Sequence, residues 1–175
     1  MLTTIALVVL AVLVVLFGYA ATRPATFRVE RSTRIAAPAE RIFPLIDDFH
    51  RWPAWSPWEK LDPGMTRTYS GADSGAGAVY EWSGTKKVGS GRMEILRTTP
   101  PAKVVIKLDF ITPFEGHNTT EFTIAGTSGG TTVTWTMYGP NAYMMRVMGI
   151  FMNFDTMIGK DFEAGLANMK AVAEG

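Results

Sequence analysis

At 175 residues the chain has room for one domain and an appendage. Lys and Arg total 17 against 16 Asp and Glu, a formal charge of +1, which removes the electrostatic case for nucleic acid or a strongly acidic partner. There is no cysteine, so disulfides and thiol chemistry are excluded.

Leu2 to Thr22 contains no charged side chain and is dominated by Leu, Val, Ile and Ala. Such a run is long enough to cross a hydrocarbon core of about 30 Å as a helix. Residues 1–22 therefore read as a single transmembrane anchor. A cleaved signal peptide is the rival reading; against it, no Lys or Arg precedes the run, although Ala20 and Ala21 would permit cleavage. Arg23, Arg28, Arg31 and Arg34 all follow the span, which predicts a single-pass membrane protein with its domain in the cytoplasm. Residues 23–26 form a short tether, and residues 27–175 form the domain.

Phe27 to Ile35 alternates with period two, without a cleanly apolar face. Pro38 to Ile46 reads as a helix with Ile42, Phe43, Leu45 and Ile46 buried. Phe49 to Trp58 follows, with three of the five tryptophans within seven residues and two prolines that prevent a continuous regular helix. These rings can form a rigid plug, line the mouth of a pocket, or divide between the two. From Met65 onward come six strand-like segments separated by Gly-rich turns: Thr66–Tyr69, Ala76–Ser83, Gly89–Arg97, Lys103–Ile111, Asn118–Ile124 and Thr131–Tyr138. Val104, Ile106, Leu108 and Phe110 make one apolar strand face, as do Val133, Trp135 and Met137. A sheet with one apolar and one wet face needs a cover. The last stretch, Asn141 to Ala173, reads as that cover: one helix of about 45 Å, with Asn141 as its N-cap. Its first half is apolar nearly all round, and five of the ten methionines lie between Met144 and Met157, a composition suited to an adaptable apolar cavity or a lid toward the bilayer.

The element order, together with Ile35-Ala36-Ala37-Pro38-Ala39-Glu40-Arg41-Ile42-Phe43, the segment Trp52 to Trp58, Tyr80-Glu81-Trp82-Ser83-Gly84 and Phe162-Glu163-Ala164-Gly165-Leu166, resembles the START/Bet v 1-like (SRPBCC) superfamily. Within it, the chain is most similar to the bacterial polyketide cyclase/dehydrase and lipid-transport group. The resemblance implies an α+β helix-grip fold, a curved seven-stranded antiparallel sheet wrapped around a long C-terminal helix, with an apolar cavity for a hydrophobic small molecule. The expected ligand contacts are Trp55, Trp82, Met93, Ile106, Leu108 and Phe122, continued by Trp135, Met145, Met148, Met152 and Phe162.

Motifs for chemistry are sparse. Gly126-Thr127-Ser128-Gly129-Gly130 spells G-x-S-x-G but joins two strands, so it reads as a hairpin turn. With two histidines far apart and no cysteine, neither a metal site nor a cofactor site is expected. Two alternatives to binding or transport remain. One is a cyclase/dehydratase-type enzyme, for which Glu81 and His117 are the candidate acid/base groups; the other is a non-catalytic membrane scaffold with an unidentified protein partner.

Overall fold

The computed structural model describes residues 1–175. Helix α1 (Leu2–Thr22) is long and apolar enough to cross a membrane, a property it shares with signal sequences. Strand β1 (Thr26–Ile35) leads to α2 (Ala39–Asp47) and two short 3-10 helices (Phe49–Ala54 and Trp58–Lys60). Then come β2 (Thr66–Gly71), β3 (Ala78–Ser83), β4 (Ser90–Thr99), β5 (Lys103–Thr112), β6 (Gly116–Thr127) and β7 (Gly130–Pro140), followed by α3 (Tyr143–Met148) and α4 (Phe154–Glu174). The seven strands form one antiparallel sheet in the order β1-β7-β6-β5-β4-β3-β2.

Alternation decides the inner face. Val104, Ile106 and Leu108 of β5, Phe122 and Ile124 of β6, and Val133, Trp135 and Met137 of β7 are all buried there. Helix α4 supplies Phe162, Leu166 and Met169 from its apolar stripe, each at or below 1% exposure. Burying three such side chains contributes about 1.5–3 kcal/mol apiece. Close approach depends on Gly165: a Cβ there would stand 2.8 Å from Cζ3 of Trp135 and 3.1 Å from Cδ of Pro57. At the far end of α4, the backbone N–H of Ala36 donates to Glu174, and Lys170 donates to the Arg34 carbonyl.

The C-terminal segment departs from the single helix expected for Asn141 to Ala173. Helix α3 stops at Met148, residues 149–153 turn, and α4 starts afresh at Phe154 with a length of about 31 Å. The break has three causes. The Asn153 side chain accepts a hydrogen bond from Thr156 N–H (3.0 Å), so Asn153 acts as an N-cap within what looked like helix interior. Arg31 of β1 fixes the first turns of α4, at 2.9 Å from Asp155 and 2.8 Å from Glu163. Helix α3 meanwhile packs on α1 instead of the sheet. Asn141 caps no helix: its backbone N–H donates to Ala25 and its side-chain amide to Pro24, tying the end of β7 to the start of β1.

Candidate functional site

Between the inner sheet face and α4 lies a cavity of about 360 Å³. Strands β3 to β7 furnish one wall, including Trp82, Met93, Leu108, Phe110, Trp135 and Met137; the segment from Trp52 to Met65 and the β3–β4 turn add to it, and α4 closes it with Ile158, Asp161 and Phe162. The Phe162 ring lies 4.2 Å from the Trp135 ring, their planes only 4° apart. The indole N–H of Trp135 has no protein partner. A volume of this size falls in the range used for small molecules, and the lining has the usual character of such sites, apolar with a few placed polar groups.

Those polar groups centre on Glu59, which is 7% exposed at the start of the turn into β2. Tyr80 donates its hydroxyl to one Glu59 oxygen (2.6 Å), and Arg67 donates Nε–H to the other (2.6 Å). Burial, and secondarily the bond to Glu59, pushes the Tyr80 phenol far above its ordinary range, so it remains a protonated donor. The ion pair with Glu59 raises Arg67 further. Since the Tyr80 proton is committed to Glu59, the phenolic oxygen can still accept a hydrogen bond from a ligand. Ser56 and Thr120 add two nearly buried hydroxyls to the wall. At the mouth stand Lys86 and Lys87, with Asp161 on α4, whose carboxyl is pushed up by partial desolvation.

A second, wider groove of about 830 Å³ opens where α1 meets the domain. Phe27, Phe114, Met145, Ile150 and Met152 line it, with Arg23, Arg28 and Arg146 among its polar groups. Phe110 is the one residue common to the groove and the inner cavity.

The expected ligand contacts divide into three sets. Trp82, Met93, Leu108, Trp135 and Phe162 surround the inner cavity, while Met145 and Met152 line the outer groove. Contrary to expectation, Trp55, Ile106 and Phe122 are fully covered and line neither space. Trp55 is held back by its indole N–H bond to the Leu45 carbonyl (2.7 Å) and by the Trp52, Phe122 and Trp135 rings. Met148 sits half-buried on α3 and also lines neither.

Neither candidate catalyst enters the inner cavity. Glu81 is exposed on the outer face, because β3 turns Tyr80 and Trp82 inward. His117 is exposed on the groove rim, with Nδ1 2.7 Å from Asp109 and Nε2 3.3 Å from Glu115. The bond to Asp109, reinforced by the nearby negative charges, raises its pKa. No three His, Cys, Asp or Glu side chains come together as a metal site would require.

Sequence reasoning passed over Glu59, Arg67 and Tyr80. A signal was present in β3, since placing Trp82 inward requires Tyr80 inward and Glu81 outward by the same alternation. Nothing comparable marks Glu59 or Arg67, whose meeting depends on the path of the chain through the two short helices.

Residues 26–174 match the family described as Polyketide cyclase / dehydrase and lipid transport. The chain belongs to this family. Solved structures share its helix-grip fold at low identity. Protein CV1439 from Chromobacterium violaceum is 18% identical with a TM-score of 0.60, covering 87% of this chain and 99% of that one. The di-domain ARO/CYC BexL from the BE-7585A biosynthetic pathway is 17% identical with a TM-score of 0.61, the match covering 89% of this chain and 52% of BexL. Ara h 8.0201 is 9% identical with a TM-score of 0.56, over 85% of this chain and 97% of that one. No match was found among the curated proteins.

Proposed function

We propose that this family member is a membrane-tethered binding protein for a hydrophobic small molecule of lipid, isoprenoid or polyketide-like class, carried in the cavity between the sheet and α4. In this reading residues 1–22 anchor the chain, residues 23–26 tether it and residues 27–175 bind the ligand, with the domain on the cytoplasmic side where Arg23 and Arg28 flank the span. The carrying observation is the cavity itself: about 360 Å³ of mainly apolar wall with neutral acceptors and donors at Tyr80, Ser56 and Thr120. Apolar burial supplies affinity there, and the hydroxyls orient a ligand that carries its own hydroxyl or carbonyl. Both Glu59 oxygens are already occupied by protein donors, which favours binding over proton transfer.

The test is native mass spectrometry of the full chain, extracted in mild detergent and offered membrane lipid extract. A ligand bound one to one is expected, with loss of uptake in Leu108→Trp, which fills the cavity from β5. A folded protein that takes up nothing from the extract overturns the reading.

A further inference from the structure

The domain of a tethered protein can hang free or lie against the bilayer, and the contacts of α3 with α1 bear on which. The Tyr143 hydroxyl donates to the Phe17 carbonyl (2.7 Å), and the two rings stack with centroids 6.3 Å apart. Arg146 donates to the Arg23 carbonyl and Arg23 to the Gly149 carbonyl, so α3 clamps the segment where α1 ends. Phe17 lies five residues before the last residue of α1, which at the helical rise is about 7.5 Å along the axis. If α1 spans a bilayer, Tyr143 is therefore held below the end of the span, at the depth of about 5–10 Å that interfacial helices occupy.

The exposed surface points the same way. Of the ten large apolar side chains exposed beyond α1, four are Leu61, Leu96, Met157 and Val172; the other six are Ile111, Phe114, Tyr143, Met144, Phe151 and Met152, with Phe114 at 65% and Phe151 at 74%. All six belong to the end of the sheet where α1 joins β1. The antiparallel register puts Thr26, Pro140, Gly116 and Thr112 at that end. The turns at the opposite end, 71–77, 99–103 and 127–130, carry no Leu, Ile, Val, Met or aromatic residue. Arg23, Arg146, Lys86 and Lys87 lie at the apolar end without an ion-pair partner; the opposing charges there are Glu115 beside His117, Asp155, which Arg31 pairs, and Asp161 at the cavity mouth. Apolar tips among unpaired cations fit an anionic lipid surface better than a protein partner, because α1 already fixes the bilayer at this end.

We infer that α3, the 149–153 turn and the β5–β6 hairpin tip form a bilayer-docking face that seats the domain in the headgroup layer of an anionic membrane, with the outer groove opening onto lipid. The inference rests on the anchoring role proposed for α1 and names the surface through which the ligand would arrive.

The chain has no cysteine, so single labels can be placed without background. The full chain is reconstituted into phosphatidylcholine–phosphatidylglycerol vesicles with an environment-sensitive dye on Phe114→Cys, Phe151→Cys, Val12→Cys within α1, or Ser128→Cys at the opposite end. Quenching is read from nitroxide lipids and from aqueous acrylamide. The labels at 114 and 151 are expected to follow the one at 12, quenched from the lipid and protected from acrylamide about threefold or more relative to 128. Weaker protection in vesicles of phosphatidylcholine alone supports the role of the cations; equal protection in the two overturns it. Labels at 114 and 151 as water-accessible as 128, with 12 in lipid, overturn docking and leave the anchor standing. A water-accessible label at 12 overturns both.

Discussion

Glu59 holds two donors in a nearly dry wall, so replacing it with glutamine tests whether the cluster shapes the cavity. Glu59→Gln conserves shape and removes the charge. Its single amide oxygen can keep only one of the two donors that Glu59 holds at 2.6 Å each. On Arg67 Nε–H it leaves the amide N–H facing a Tyr80 oxygen that can accept only by turning its own O–H away; on Tyr80 it sets the amide N–H against the Arg67 N–H. Removing one partner of a buried ion pair costs about 3–5 kcal/mol when the other is left dry. Arg67 retains 22% side-chain exposure, so water recovers part of that cost. The expected loss is therefore about 2–3 kcal/mol, or a fall in Tm of about 4–12 °C for a domain of this size. All five tryptophans lie between Trp52 and Trp135, so tryptophan fluorescence of the full chain in detergent follows the domain and not α1. Tyr80→Phe should cost about 1.5 kcal/mol, since Glu59 keeps Arg67, and the double variant should cost less than the sum of the singles. A loss below roughly 0.5 kcal/mol in Glu59→Gln would refute the claim that this cluster is a dry, mutually dependent unit.

Five other outcomes can be measured. Tyr80 has a raised folded pKa, so its contribution to stability is complete below the unfolded value of about 10 and is lost as pH rises toward the folded value; alkaline denaturation of Tyr80→Phe should lack that part of the decline. His117 is also raised, by its bond to Asp109, so its contribution is full below about pH 6.5 and disappears as pH rises through the folded pKa. Its NMR titration should move down in Asp109→Asn, and an unmoved midpoint would remove the pair from the account. Gly91→Ala places a Cβ against the Trp82 ring and 2.5 Å from the Asp109 carbonyl oxygen; it should cost about 1–3 kcal/mol and displace a cavity wall. Gly126→Ala, with nothing within 4 Å, should change stability by less than roughly 0.5 kcal/mol. Phe110→Ala removes the partition shared by the two spaces and should speed ligand exchange between protein and vesicles, whereas an unchanged rate would place the route elsewhere.

The sheet was legible because period-two alternation marked its strands and glycines marked its turns; all seven appear near their expected bounds, in one antiparallel sheet. The helix break was not, because its one local cause, the Asn153 cap on Thr156, is no strong signal in a run without proline, and the other two lie outside the local pattern. Gly149 and Asn153 are tolerable inside a helix, and no proline interrupts the segment. What else separates α3 from α4 is tertiary: α3 answers to α1, more than a hundred residues away, and α4 answers to Arg31 on β1. Arg31 itself occupies an inward strand position, where alternation alone offers no reason for a cation. Its reason is the pair of carboxylates, Asp155 and Glu163, that α4 brings to meet it.

The tryptophan segment shows the same limit within a few residues. Its composition announced an aromatic cluster, and the short-helix geometry then assigned the rings different tasks. Trp52 and Trp55 donate their indole N–H groups to the Ile46 and Leu45 carbonyls at the end of α2, which turns both rings into the core. Trp58, one 3-10 turn later, stays partly open and lines the cavity against Trp135 and Phe162. The next residue in the chain is Glu59. The turn that aims Trp58 at the cavity therefore also delivers the carboxylate that orients Tyr80, and a ligand entering beside α4 meets an aromatic surface and a polar group fixed by the same three-residue helix.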